Sequence, residues 1–132
     1  MRKMKNSKGF TLMEMLIVVA IIAILVAIMI PTLTTQLERA RETADLANIR
    51  AAYAEASVTA LTEDKPGQAT VTMTQHTAEF KYITAPDYLT TNSDDAKTAT
   101  NWDQVAAATS GATVTVTVNP DGTVAYTVAA KP

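Results

Sequence analysis

One carboxylate stands at the start of a long apolar segment near the N-terminus. Glu14 precedes sixteen consecutive apolar residues, positions 15–30. An ionised carboxylate within a membrane-spanning helix costs about 2.5 to 3.5 kcal/mol on insertion scales, and such a group usually has a function. We therefore expect Glu14 to need a cationic partner. The simpler alternative is an acid tolerated close to the membrane surface.

A cut between Gly9 and Phe10 would create that cation. The new α-amino group of Phe10 would lie four residues before Glu14, one turn away on the same face of a helix. An α-amino group has a pKa of about 7.7 to 8.0, so it is largely charged at neutral pH. Within one helix the pair would be weak. Between two staggered helices, the same pair would specify their register.

The segment that carries Glu14 is long enough to cross a bilayer. A hydrocarbon core of roughly 30 Å needs about 20 apolar residues, and the run from Phe10 to Ile30 supplies that length. The expected cut precedes the apolar core, unlike the cut of an ordinary secretory signal, so the product would keep its helix. Positive charge before the helix favours a cytoplasmic N-terminus and an exported remainder. That charge comes from Arg2, Lys3, Lys5 and Lys8.

Together these features resemble the class III signal of type IV pilins. A basic leader ends in Gly9, the sequence F-T-L-M-E places its acid at the fifth position after the cut, and an apolar helix follows. Pro31, the twenty-second residue after the cut, also matches the family. The resemblance covers roughly residues 1–55. Pseudopilins of type II secretion and of competence systems share it.

The resemblance implies a structural subunit. A prepilin peptidase would cleave after Gly9, Phe10 would be N-methylated, and the lipid bilayer would hold the subunit until it polymerises into a helical filament on the cell surface. Glu14 would neutralise the Phe10 amine of an adjacent subunit. An assembly ATPase and a platform membrane protein would be the other partners. Adhesion, motility, secretion and DNA uptake are all possible end uses.

The order of segments predicts an α+β fold. A leader (residues 1–9), an apolar helix (10–30), an amphipathic helix (31–62) and a β-rich head (63–132) follow one another. Pro31 lacks a backbone donor and clashes with the preceding turn, so we expect the helix to kink, loosen or end there. As in pilins, a long N-terminal helix would pack on a small antiparallel sheet.

An apolar seam marks the second half of the long helix. Its steps of four and three are typical of an amphipathic helix, and it could pack against the head or against neighbouring copies. Glu38, Arg41, Glu42 and Asp45 are expected elsewhere, on the surface, in weak pairs. The seam consists of Leu33, Leu37, Ala40, Ala44, Ala47, Ala51, Ala54, Val58 and Leu61, and a flanking row consists of Leu46, Ile49, Tyr53, Ala56 and Ala60. In the apolar half, Ala20, Ala23 and Ala27 form a ridge of small side chains that favours close helix packing.

The head shows alternating β patterns. Residues 69–74 and a short segment at Phe80 are expected to form strands. Valines alternate with threonines on both sides of the turn N-P-D-G at residues 119–122, which predicts a C-terminal hairpin. Asn101 is expected to cap a short helix, and Trp102 to lie in the core.

The sequence contains few residues that could form a catalytic or metal-binding site. The chain has no cysteine and a single histidine, His76, so neither a disulfide nor a transition-metal set can be assembled. No nucleophile context or phosphate-binding loop occurs, and we predict a protein that is not an enzyme and needs no cofactor. Acids and amides between Asp87 and Asp95 offer oxygen ligands for calcium, as in major pseudopilins. Their spacing matches no EF-hand loop, which favours solvated acids.

Charge narrows the choice of partner. Four of the eleven basic residues precede Gly9, so the remainder carries seven basic and thirteen acidic residues. An acidic exported surface does not favour electrostatic binding of nucleic acid. Three functions stay open: a type IV pilin, a major pseudopilin of a type II secretion or competence system, and a membrane-anchored monomeric binding module. The lack of cysteine fits a Gram-positive pilin or a pseudopilin better than a Gram-negative major pilin.

Overall fold

One long helix and a small sheet make up the fold. A computed structural model describes Gly9, residues 11–91 and residues 101–132. Within these residues the elements are α1 (Leu12–Glu63), β1 (Gly67–Thr72), α2 (Asp87–Thr90), α3 (Trp102–Ala107), β2 (Thr113–Val118) and β3 (Val124–Ala129). A long N-terminal helix packs on a three-stranded antiparallel sheet, so the α+β prediction is confirmed.

The chain divides into two compact units, Met1–Thr35 and Gln36–Pro132. The first contains the apolar part of α1. The second contains the rest of α1, the sheet and the two short helices. The boundary therefore falls within α1, a few residues after Pro31. The second part of α1 belongs to the same unit as the head.

The helix α1 continues through Pro31, so the expected end of the helix at this position is wrong. The hydroxyl of Thr32 donates to the carbonyl of Ile28 at 3.3 Å. The hydroxyls of Thr34 and Thr35 donate to the carbonyl of Pro31 at 2.9 and 3.1 Å. Proline leaves the carbonyl of Ala27 without its helical N–H partner, and these hydroxyls bond instead to carbonyls that follow it in the helix. Loosening of this turn in a filament stays a prediction.

The sheet has the order β1-β2-β3, with both pairs antiparallel. The predicted hairpin is confirmed: β2 and β3 pair so that Val116 lies opposite Tyr126. The N–H of Gly122 donates to the carbonyl of Asn119 at 2.9 Å, and Gly122 has φ 85°. Glycine adopts this left-handed conformation without steric cost, which allows the turn to close.

The core lies between the sheet and one face of α1. Small side chains let the two approach closely: a Cβ added to Gly67 would lie 1.9 Å from the carbonyl oxygen of Ala56. Trp102 is in this core, as predicted, with ring centroids 6.1 Å from Phe80 and 5.2 Å from Tyr126. Burial raises the pKa of Tyr126, and its hydroxyl donates to the carbonyl of Leu89 at 2.7 Å.

Two predictions for the head are wrong. The segment at Phe80 is not a strand, because Glu79 and Phe80 have φ 79° and 43°, a left-handed conformation that interrupts extended backbone. Asn101 does not cap α3 with its side chain. Its own φ is 66°, and its amide donates to the carbonyl of Tyr126 at 3.1 Å. That bond links α3 to the edge of β3.

Candidate assembly site

Glu14 and Thr11 form a capping box at the start of α1. The backbone N–H of Thr11 donates to Oε2 of Glu14 at 2.9 Å, and the N–H of Glu14 donates to Oγ1 of Thr11 at 3.2 Å. The carbonyl of Thr11 accepts the N–H of Met15 at 3.2 Å, one of the first bonds of the helix. Both reciprocal bonds satisfy donors that a helix start leaves unpaired. The spacing T-x-x-E is typical of this box, which an interpretation of Glu14 by its charge alone does not predict.

The expected processing site lies just before this cap. Gly9 is exposed, and a Cβ added to it would meet no atom within 4 Å. Among the described residues, no neighbouring atom therefore requires glycine at this position. Phe10 and the leader residues 1–8 lie outside the described residues. The expected pairing of Glu14 with a Phe10 amine stays a prediction.

The apolar half of α1 is exposed on every side. Within the described residues, α1 is the one helix that is apolar and long enough to cross a membrane. Its large apolar side chains are exposed over residues 12–30. Leu12 at the start is 88% exposed, and Ile30 at the end is 57% exposed. The alanine ridge at Ala20, Ala23 and Ala27 is exposed as well. A helix that is apolar all round is stable only when lipid or other protein covers it.

The apolar seam of the second half of α1 also faces outward. The head packs instead on the flanking row, of which Leu46, Ile49, Ala56 and Ala60 are buried and Tyr53 is half-buried. Burial of the seam against its own head is therefore overturned. The exposed residues of the seam are Leu33, Leu37, Ala40, Ala44, Ala47, Ala51, Ala54, Val58 and Leu61. Packing against neighbouring copies is the alternative that this leaves.

Buried carboxylates on the second half of α1 form hydrogen bonds with the head. Asp45 accepts the backbone N–H of Thr74 at 2.8 Å and that of Gln75 at 2.7 Å, and it accepts the Thr74 hydroxyl at 2.8 Å. Its side chain thus replaces a strand partner where the chain leaves β1. Buried backbone N–H groups need such acceptors. Asp45 is consequently part of the fold, and its expected surface position is wrong.

Glu38 and Glu42 bind the same loop further along. Glu38 accepts the backbone N–H groups of His76 and Thr77, the second at 2.6 Å. Glu42 accepts the N–H of Tyr82 at 2.8 Å. Both carboxylates are buried, contrary to the surface position expected from the sequence. The spacing of Glu38, Glu42 and Asp45, four and then three residues, places all three on one helical face and signals their common role.

The environment of Glu38 stabilises its charged form. Burial alone would raise its pKa. Hydrogen bonds from the backbone of Thr77 and His76, with those from the Thr77 hydroxyl and from Arg41, outweigh burial and lower the pKa of Glu38 below its ordinary value of 4.5. Arg41 lies 3.2 Å from Oε2 of Glu38 and 2.8 Å from Nδ1 of His76. His76 is exposed, as expected.

The described residues contain no group of three or more His, Asp or Glu side chains placed to hold a metal ion. Asp87, the first member of the expected calcium loop, begins α2. Residues 92–100, which include the loop's other members, lie outside the described part of the chain. The preference for solvated acids there stays a prediction.

Comparison with known proteins bears on the N-terminal region. The prokaryotic N-terminal methylation motif matches residues 4–30, which include Gly9, Phe10 and Glu14. In this region the chain is similar to type IV pilins. The chain is 60% identical over 40 residues to the type IV wide pilus major component PilA4 of Thermus thermophilus, a match that covers 30% of each protein.

A second relative gives a longer match. The type IV narrow pilus major component PilA5 of Thermus thermophilus is 50% identical over 58 residues, which make up 42% of this chain and 50% of the relative. The chain thus spans between about a third and a half of the curated relatives it matches. No solved structure matches it significantly.

Proposed function

We propose that the chain is the structural subunit of a type IV pilus. A prepilin peptidase cleaves it after Gly9, and the new N-terminus at Phe10 is methylated. The product waits in the cytoplasmic membrane with its N-terminus inside, and then an assembly ATPase and a platform membrane protein drive it into an extracellular helical filament. The chain carries no cofactor and does no catalysis in this role.

The main support for the proposal is the apolar half of α1, which has one charged residue and exposed apolar side chains. Between Phe10 and Leu37, Glu14 is the sole charged residue, and the large apolar side chains around it are exposed. Lipid can cover such a helix in storage, but it gives Glu14 no cation. A bundle of identical helices covers the apolar surface and supplies an α-amino group opposite each Glu14.

The exposed seam on the second half of α1 supports the same proposal. It is lined mainly by alanine, and small side chains let helix backbones approach closely. A membrane-anchored monomeric binding module needs no such surface. The named function of the two relatives, as major components of pili, agrees with a filament subunit.

A major pseudopilin of a secretion or competence system is the second candidate. It shares the N-terminal segment, and its filament is short. Deletion of the gene separates the two. Loss of long surface filaments in electron micrographs supports a pilin, whereas loss of secretion or DNA uptake without such filaments supports a pseudopilin.

The intact mass and N-terminal sequence of the chain from its native cell test the processing. We expect a start at methylated Phe10. A chain that keeps residues 1–9 in a cell with an active prepilin peptidase would contradict the proposal.

A further inference from the structure

Burial of the acids changes the charge of the surface that α1 presents. In the sequence, residues 36–50 mix acidic and basic side chains. In the structure Glu38, Glu42 and Asp45 are buried and bound to the loop at residues 74–82. The basic side chains of the same stretch remain at the surface, Arg39 and Arg50 exposed and Arg41 half-buried.

The loop adds a further cation to this basic stretch. The exposed side chain of Lys81 places its Nζ 5.5 Å from the ring centroid of Tyr82. The guanidinium of Arg39 lies 5.6 Å from the same centroid. Glu79 is also exposed in this loop and offsets part of the charge. Because Arg41 already pairs with Glu38, we call the side chains of Arg39, Arg50 and Lys81 the basic band.

The far end of α1 carries the opposite charge. Glu55, Glu63 and Asp64 are exposed. Lys65 pairs with Glu63, so the end stays net negative. We call Glu55, Glu63 and Asp64 the acidic band. The exposed charge along the second half of α1 therefore changes sign once, from positive to negative.

We propose that the basic band of one subunit binds the acidic band of another copy of the chain. This inference rests on the proposed function, because a filament repeats staggered copies side by side. Two bands of opposite sign on one helix attract when copies are offset along their axes and repel when they lie in register. The bands would thus select staggered packing as the copies approach.

An anionic lipid surface is a less suitable occupant. Lipid phosphate groups would attract the basic band, but they give the acidic band no partner. A second copy supplies complementary charge to both. Each exposed pair is weak by itself, about 0.2 to 1 kcal/mol, and the effect depends on its repetition in every subunit.

Charge reversal in each band, and in both, tests the inference. The variants are Arg39→Glu with Lys81→Glu, Glu55→Lys with Glu63→Lys, and all four changes together. Filaments sheared from native cells are quantified against the chain held in the membrane. Lys131→Glu, an exposed change outside both bands, is the control. Unfolding of each detergent-solubilised variant verifies that the head still folds.

We expect each double variant to lose about tenfold in filament yield, since like charges then face each other. The quadruple variant, with both bands reversed, should recover to within about threefold of the unmodified chain by the same reasoning. Normal yield in both double variants would overturn the inference. So would a quadruple variant as defective as Arg39→Glu with Lys81→Glu, a result that fits lipid binding. An unmodified chain that makes no filament in its native cell would instead overturn the proposed function.

Discussion

Glu14 has a local role that is separate from the intermolecular role we propose. Its carboxylate accepts the N–H of Thr11 and so caps α1. A neutral acceptor could do the same, whereas pairing with an amine needs the negative charge. The two roles therefore predict different effects for substitutions that differ only in charge or only in hydrogen bonding.

Glu14→Gln keeps an acceptor for the cap and removes the charge. We expect the subunit to be cleaved and held in the membrane, but to form few or no filaments, as measured by electron microscopy and by the yield of sheared filaments. Glu14→Leu should fail in the same way. Thr11→Ala, the matched control, removes one cap bond at a cost of about 1 kcal/mol and should leave filaments in place. Normal filaments from Glu14→Gln would show that Glu14 serves only as a helix cap and not as a charge partner in assembly.

The lowered pKa of Glu38 predicts loss of stability in acid. A carboxylate with a depressed folded-state pKa stabilises the fold above its unfolded-state pKa, and that stability is lost as pH falls from about 4.5 through the folded value. Glu38→Gln should cost about 1 to 2 kcal/mol at pH 7 and weaken the acid dependence. Urea unfolding of the detergent-solubilised chain from pH 7 to pH 3 measures both. Glu55→Gln, an exposed change on the same helix, should leave the profile unchanged.

At the scale of elements, α1 has two apolar faces, of which one packs on the head and the other is exposed. The face with Ile49 and Ala56 packs on the sheet. The seam with Ala47 and Ala54 stays exposed. Hydrogen bonding decides which is which, because Glu38, Glu42 and Asp45 share the buried face and fix it against the loop after β1. Apolar periodicity alone favours neither face.

The contact of β1 with α1 tolerates no extra atom at Gly67. In Gly67→Ala, the new Cβ would lie 1.9 Å from the carbonyl oxygen of Ala56, and backbone must move to relieve the clash. We expect a loss of about 1 to 3 kcal/mol in the free energy of unfolding, measured with urea. Ala47→Ser, an exposed change on α1, should leave that free energy nearly unchanged. Equal stability of the two variants would contradict the close packing.

At the scale of the whole molecule, the described hydrophobic core lies in one of the two compact units. Every residue of the hydrophobic core, from Leu46 to Tyr126, lies in the unit Gln36–Pro132. The apolar side chains described in the first unit, from residue 11 on, are not part of that core. The head should therefore fold without the membrane helix.

A fragment of residues 36–132 should be soluble, monomeric at micromolar concentration and unfold in one cooperative transition. Circular dichroism and sedimentation equilibrium measure this. A fragment of residues 51–132 lacks the buried acids and Leu46 and Ile49, so it should not fold. Aggregation of the longer fragment would show that the head needs the first half of α1.

Local sequence patterns were enough to predict the apolar helix, the hairpin and the α+β class, and they also predict the processing segment. Each depends on local order or on a period that a single element imposes, such as the alternating valines of β2 and β3. The three-dimensional fold was needed to show which face of α1 meets the head, that Asn101 binds Tyr126, and that Phe80 has a left-handed backbone. These depend on backbone N–H and C=O groups far away in the chain, and buried groups must find partners wherever the fold brings them. For that reason Glu38, Glu42 and Asp45, which the sequence alone places on the surface, are buried and bind backbone N–H groups of a loop.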